Sequence, residues 1–444
     1  MFPGHLSRRG FVQRSIASLM ATGLPAWYAR QVVASANEGP SRRVAPTESL
    51  QLGLIGCGGR GTSDAKAALA RSGVELLAVC DVDETHVERA LKTLAPGKER
   101  EVGRYRDFRE LLDRDDIDIV VIGTPDHWHT IPALYAVKRG KDVYCEKPLT
   151  LTIDEGKALV KAVRKYERTL QVGSQQRSDD RFRLACELVR NGRLGKVAKV
   201  ETWIGNNPKK GPFDSAPVPD GLDWDFWCGQ TPLVDYVPER CHNTFRWWYE
   251  YSGGKMTDWG AHHNDIAQWG LGMDGSGPVR VVSKASPATQ RPNSFNCHID
   301  FEVTYTYAKN AGPVCDGTEL VCSSKENGIK FWGEGGDWIF VNRAKIEASD
   351  PKLLSEPLHA DATRLYVSKN HMTNFLECVR DRQRPVCDVE VGHRSVSVCH
   401  IGVISMRLGG KELHWDPERE RFHGDALADE FLSRPMRTPW SLEV

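Results

Sequence analysis

The sequence contains no run of about 18 apolar residues, so no helix of it can span a bilayer. It has no charge excess either. Its 59 Lys+Arg face 59 Asp+Glu, leaving no basic surplus to neutralise a phosphate backbone and excluding a nucleic-acid coat. No CxxC pair occurs among the 12 cysteines, and their spacings form no disulfide framework. Cys57, Cys80 and Cys145 sit in or beside apolar runs, where a small buried thiol is ordinary. One bridge, Cys315 to Cys322 across a short loop, stays open, and no redox role is assigned. Internal repeats and low-complexity segments are also missing. What remains is a chain of 444 residues, 40% hydrophobic, long enough for two to four domains with sizeable cores.

The first 36 residues lack acids: their only charges are Arg8, Arg9, Arg14 and Arg30. Ser7-Arg8-Arg9-Gly10-Phe11-Val12 precedes a mildly apolar stretch over 15–27 and then Ala34-Ser35-Ala36. That is a basic start, an apolar middle and a small-residue cleavage site. A twin arginine before an apolar pair resembles a Tat signal, which carries already folded proteins across a bacterial membrane. The expectation is cleavage after Ala36, a polar leader over 37–46, and a mature protein that works in the periplasm or is otherwise exported.

From 47 to 177, short β-branched runs alternate with helical stretches: strands at 51–56, 74–80, 117–122, 142–145 and 171–173, with helices between them. Such βαβ alternation predicts a doubly wound parallel sheet. From 178 to 444 the strand-like runs are longer, at 196–204, 279–286, 298–307 and 328–331, and few helices interrupt them. This predicts an α/β second domain with a large, mostly antiparallel open sheet.

The first strand ends in Gly56-Cys57-Gly58-Gly59-Arg60-Gly61, a GxGxxG at the start of a helix. Its glycines permit a tight turn and let backbone N–H groups meet a pyrophosphate. Asp81 ends the second strand, 20 residues after Gly61. An acid there accepts hydrogen bonds from ribose hydroxyls and repels a 2′-phosphate, which points to NAD, although Arg60 leaves NADP possible. The next strand leads into Gly123-Thr124-Pro125-Asp126-His127-Trp128-His129. Ligands bind outside the carboxyl ends of such strands, so Thr124, Pro125, His127 and His129 are expected beside the cofactor. His127 and His129 form an H-x-H, but no third metal ligand accompanies them, and no metal is expected. The following strand ends in Glu146-Lys147-Pro148, where a lysine could polarise a substrate oxygen next to the nicotinamide.

These motifs together resemble the glucose–fructose oxidoreductase/inositol dehydrogenase/MocA (Gfo/Idh/MocA) family. The resemblance continues in Gly253-Gly254-Lys255-Met256-Thr257-Asp258-Trp259-Gly260-Ala261-His262, similar to that family's glycine-rich D-x-x-x-H helix. Asp258 and His262 are four apart, hence on one helical face. A carboxylate near the imidazole would raise its pKa and orient it as a general base; an isolated Asp-x-x-x-His is more often a structural pair.

By the resemblance, Lys147, Asp258 and His262 form the catalytic set, and Glu146 and Lys147 also face the cofactor. The implied reaction is hydride transfer from a sugar, polyol or glycoside carbon to nicotinamide. Export adds a condition, since no free NAD pool exists outside the cytoplasm; a nucleotide carried inside the folded protein and recycled there meets it. Some relatives on this scaffold resemble NAD-dependent glycoside hydrolases that oxidise transiently and eliminate the aglycone, which is the alternative reading. Trp128, Arg177, Trp247, Trp248 and His263 are candidates for carbohydrate contact, the tryptophans because a flat ring suits the C–H face of a pyranose. An open sheet face implies a homo-oligomer.

Overall fold

The computed structural model describes residues 8–37 and 49–443. Two helices come first, α1 (Arg8–Ala21) and α2 (Ala26–Asn37). The first sheet takes β1 (Leu50–Ile55), β2 (Val74–Cys80), β3 (Gly103–Tyr105), β4 (Ile119–Ile122), β5 (Asp142–Cys145) and β6 (Leu170–Val172). All pairings are parallel, in the order β3-β2-β1-β4-β5-β6, that of a dinucleotide-binding sheet. Helices α3 (Gly59–Leu69), α4 (Glu84–Leu94), α5 (Phe108–Leu112), α6 (Thr130–Lys138) and α7 (Ile153–Lys165) connect the strands. β4 and β5 are buried throughout, as expected of strands covered on both faces. The helix starts are coded locally. Asp83 caps α4, Asp107 caps α5, and Thr152 with Glu155 forms a capping box on α7, each satisfying amides that have no partner within the helix.

The second sheet has nine strands: β7 (Val197–Trp203), β8 (Arg280–Ala285), β9 (Phe301–Thr306), β10 (Cys315–Ser323), β11 (Gly328–Gly333), β12 (Trp338–Val341), β13 (Ile346–Ala348), β14 (Leu413–Asp416) and β15 (Arg421–Phe422). It is antiparallel except where β7 lies parallel to β10. In β9 Phe301, Val303 and Tyr305 turn inward while Glu302 is exposed, the alternation of a sheet covered on one face. The cover is more helical than the sequence suggested. α8 (Asp180–Arg190), α9 (Trp224–Cys228), α10 (Lys255–Asp258), α11 (Gly260–Leu271), α12 (Lys352–Ser355), α13 (His371–Asp381) and α14 (Val389–Arg407) all lie here. α11 is buried along its whole length, so its apolar residues follow no stripe that a periodicity argument detects.

The division at 177/178 is crossed by later chain. α13 packs on α3 through Met372, Phe375 and Val379. The Val172 amide of β6 donates to the Cys387 carbonyl at 3.0 Å, and α14 packs on α7.

The described part of the expected signal segment, residues 8–36, is folded onto the rest of the chain. α1 and α2 form a hairpin around Gly23 (φ 89°). Tyr28 is fully buried beneath the Arg183 guanidinium, 5.1 Å from its ring centre, and Trp27 Nε1 donates to the Leu354 carbonyl at 2.8 Å. Of the predicted polar segment 37–46, all but Asn37 lies outside the described residues. The cysteines are all buried and unpaired. Cys315 and Cys322 stand on the single strand β10, where seven residue steps of extended chain separate them by roughly 20 Å, far beyond disulfide reach.

Candidate active site

At the carboxyl ends of β1, β2, β4 and β5, a cavity of about 510 Å³ opens between the parallel sheet and the helices and turns of the second domain. Gly56 holds φ 88°, and a Cβ there would lie 2.6 Å from the Thr124 amide nitrogen. At Gly61 a Cβ would sit 2.0 Å from the Gly56 carbonyl oxygen, so helix and turn can close only without side chains. Gly58 is different. A Cβ would meet nothing there, no side chain caps α3, and Gly58 and Gly59 line the cavity. The helix therefore presents uncapped amides to open space, a cradle suited to a pyrophosphate.

Asp81 is fixed by two amides, Cys57 N–H to Oδ2 at 2.7 Å and Asp83 N–H to Oδ1 at 3.0 Å, and it lines the same cavity. Arg60, the residue that left a 2′-phosphate open, lines the cavity too, with two carboxylates as its partners. It pairs with Asp64 and its Nε reaches Glu146 Oε1 at 3.1 Å. Burial and Glu146 push Asp64 up to about 8, against the pull of Arg60. Glu146 also accepts from Gln175 Nε2 at 2.9 Å.

Thr124, Pro125, Trp128 and His129 line the cavity. Trp128 is held as a wall by its Nε1 bond to the Trp227 carbonyl at 2.9 Å and by edge packing on Phe108. The ring nitrogens of His129 face the Pro148 and Thr124 carbonyls at 2.6 and 3.0 Å. His127 is not at the cavity. It is 1% exposed, bonded to the Trp227 carbonyl, and burial pushes it down to about 3. The H-x-H pair is thus spent on backbone carbonyls.

Lys147 Nζ donates to Asp258 Oδ1 at 2.5 Å, and Arg246 Nε lies 3.7 Å from the same oxygen. Burial alone would raise the Asp258 carboxyl, but Lys147 and Arg246 hold it below the usual carboxylate range. The expected link between Asp258 and His262 is corrected. The helix breaks at Trp259, between α10 and α11, and the His262 amide donates to the Trp259 carbonyl. Asp258 serves Lys147 instead. His262 is accordingly lowered well below an ordinary histidine, first by burial and then by the cations Lys147 and Arg343, where a neighbouring carboxylate would have raised it. His262 is itself off the cavity wall, and its Nδ1 is buried without a hydrogen-bond partner.

Three proposed carbohydrate contacts are structural. Arg177 is 1% exposed and bonds Asp265 and Asp274, its Nη2 2.7 Å from each. His263 is fully buried between Gln176 and Asn327. Trp248 is 1% exposed, donates to the Glu239 carbonyl and lies 3.9 Å beneath the Arg240 guanidinium. Trp247 is half-buried, its ring centre 5.6 Å from the Lys255 ammonium, and is off the cavity wall. The wall instead includes Arg106, His242, Asn243, Phe245 and Arg246, which the sequence reading passed over. Residues 242–247 form a short 3-10 turn with no motif; only the basic residue beside the Trp pair hinted at it.

Two family descriptions match this chain: an oxidoreductase-family NAD-binding Rossmann fold over residues 50–174, and an oxidoreductase-family C-terminal alpha/beta domain over 191–442. The chain belongs to the Gfo/Idh/MocA oxidoreductase family. Its first domain is an NAD-binding Rossmann domain. The solved WlbA dehydrogenase of Bordetella pertussis, in complex with NADH and UDP-GlcNAcA, superposes with TM-score 0.60 at 18% identity over 83% of this chain and 99% of that one. The aldose-aldose oxidoreductase of Caulobacter crescentus, complexed with glycerol, gives 0.60 at 20% over 83% and 100%. Both share the fold. Among curated proteins, a glycosyl hydrolase family 109 protein of Shewanella pealeana is 29% identical over 44% of this chain and 45% of its own length. An alpha-N-acetylgalactosaminidase of Shewanella oneidensis is 32% identical over 35% and 34%. The matched region thus spans less than half the length of these curated relatives.

Proposed function

We propose that this Gfo/Idh/MocA member is an exported NAD-dependent enzyme that oxidises a hydroxyl-bearing carbon of a small carbohydrate and restores its nucleotide within the same site. One observation carries the reading: the Lys147 ammonium on the Asp258 carboxylate at 2.5 Å, in the cavity that also holds the glycine cradle and Asp81. The cradle and Asp81 fit a dinucleotide, with Gly58 and Gly59 at the pyrophosphate and Asp81 on a ribose. Bound nicotinamide supplies the two-electron acceptor. Lys147 holds and polarises the substrate oxygen, and Asp258 fixes the ammonium in place. His262, kept neutral by its surroundings, takes the hydroxyl proton on a ring nitrogen. Trp128 supplies a flat wall.

The Arg8-Arg9 start and the small residues at 34–36 support export by the Tat route to the periplasm, with the nucleotide already seated. The helix-free face of the second sheet supports a homo-oligomer, for Trp203, Trp332, Trp338 and Phe340 stand half-buried on it.

A second reading, an NAD-dependent glycoside hydrolase, is favoured by the curated relatives named glycosyl hydrolase family 109. One experiment addresses both. The full-length protein is denatured and the released nucleotide weighed by mass spectrometry, and the native protein is given free sugars and aryl glycosides. Stoichiometric NAD with a keto or lactone product supports the oxidoreductase. NAD with aryl alcohol release and no net redox change supports the hydrolase. Absence of nucleotide and of any product overturns both.

A further inference from the structure

At the Asp81 end of the cavity, three side chains outside the catalytic set converge. Asp83 and His86 stand at the start of α4, while His242 comes from the turn over 242–247 of the second domain. Their donor atoms all lie within 4.8 Å of one another. His242 Nε2 is 3.1 Å and His86 Nε2 4.0 Å from Asp83 Oδ2, and the two imidazole centres are 4.4 Å apart.

We propose that Asp83, His86 and His242 form a divalent-cation site of the zinc class. Ligands at about 2.0–2.2 Å from a tetrahedral ion stand roughly 3.4 Å from one another, so these donors need shifts of about an ångström to close on one centre. Two nitrogens and one carboxylate oxygen are the donors that such an ion takes, and they leave one position open. Asp83 divides its oxygens suitably: Oδ1 is spent on the Thr85 amide and hydroxyl, leaving Oδ2 to the imidazoles. The surrounding shell matches as well. His86 turns Nε2 to Asp83 and Nδ1 to Asp81 Oδ2, 3.6 Å away, and a carboxylate behind the second nitrogen is how ligating imidazoles are oriented. His242 holds a left-handed φ of 50°, and in this conformation its ring lies beside that of His86. The positive charge of Arg89 is near enough to oppose protonation of both imidazoles. A cation here joins the two domains across the entrance used by the nucleotide ribose. The inference rests on these three side chains and is independent of which reaction the cavity performs.

The test is a zinc titration of the untagged, chelator-treated full-length protein by calorimetry, with cobalt(II) visible absorption as a second readout. One equivalent should bind, and His86→Ala and His242→Ala should each weaken it at least tenfold. Asp83→Asn, which preserves the helix cap, should also weaken it at least tenfold. His414→Ala, on β14 and paired with Glu412 just before that strand, should leave it unchanged. No bound zinc, or unchanged affinity in an Asp83→Asn/His242→Ala protein that melts like the parent, overturns the proposal.

Discussion

Lys147 and Asp258, 111 residues apart in sequence, meet with Nζ 2.5 Å from Oδ1. They come from opposite sides of the cleft: Lys147 follows β5 of the parallel sheet, and Asp258 ends α10 of the second domain. This ion pair joins the two domains within the cavity that the nucleotide cradle opens. Lys147→Met should lower kcat by about 10²–10⁴, the usual worth of a positioned proton-transfer or polarising group, while nucleotide released on denaturation stays stoichiometric. Unchanged turnover would remove Lys147 from the reaction.

If His262 is the base, as proposed, its depressed pKa should set the pH profile. With its pKa well below an ordinary histidine, the base is unprotonated at neutral pH, so kcat/KM should hold level down through pH 6.5. It should then fall as pH drops through the lowered pKa. Arg343→Ala removes one of the cations that depress His262, and its acid limb should move to higher pH; a limb that stays in place would contradict the assignment.

Asp81 should decide the nucleotide. Asp81→Ser is expected to weaken NAD at least tenfold, about 1.4 kcal/mol, and to narrow the gap to NADP. Fluorescence titration of both nucleotides into stripped protein measures this directly.

Arg177 gives an expectation opposite to that of a substrate contact. Removing it leaves Asp265 buried and uncompensated, so Arg177→Met should cost about 3–5 kcal/mol of stability. Residual folded enzyme should retain its KM. A raised KM at unchanged melting temperature would restore the contact reading.

His127 and His263, pushed down to about 3 and about 4 chiefly by burial, should show neutral-ring resonances in NMR spectra at pH 5. Protonation of either near pH 6.5 would mean that the ring is not enclosed as described.

Much of this was readable from residue order, and the reasons are local. The turn at 56–61, Asp81 and the carboxyl ends of β4 and β5 follow from a strand period and a fixed topology, so the sequence located them closely. The second domain was less legible. α11 is enclosed on all sides although His262, His263, Asn264, Asp265 and Gln268 lie along it, and enclosure is a tertiary fact that no period reports. The same limit explains Arg177, Trp248 and His263. Each has the chemistry of a contact residue, and only partners brought by distant chain, such as Asp274 for Arg177 or Asn327 for His263, show it to be internal. His242 and Arg246 went unread for the converse reason: a short 3-10 turn carries no signature until the fold lays it over the cleft.

The pairing of Val172 with Cys387 has a consequence for biosynthesis. The last strand of the parallel sheet lacks its neighbour until more than 200 further residues have left the ribosome, because α14, which covers β6 and α7, begins only at Val389. The N-terminal domain therefore cannot finish independently as it emerges, the usual course for a leading domain. Its edge waits for the end of translation, and the cleft reaches its final form as one of the last events in making the chain.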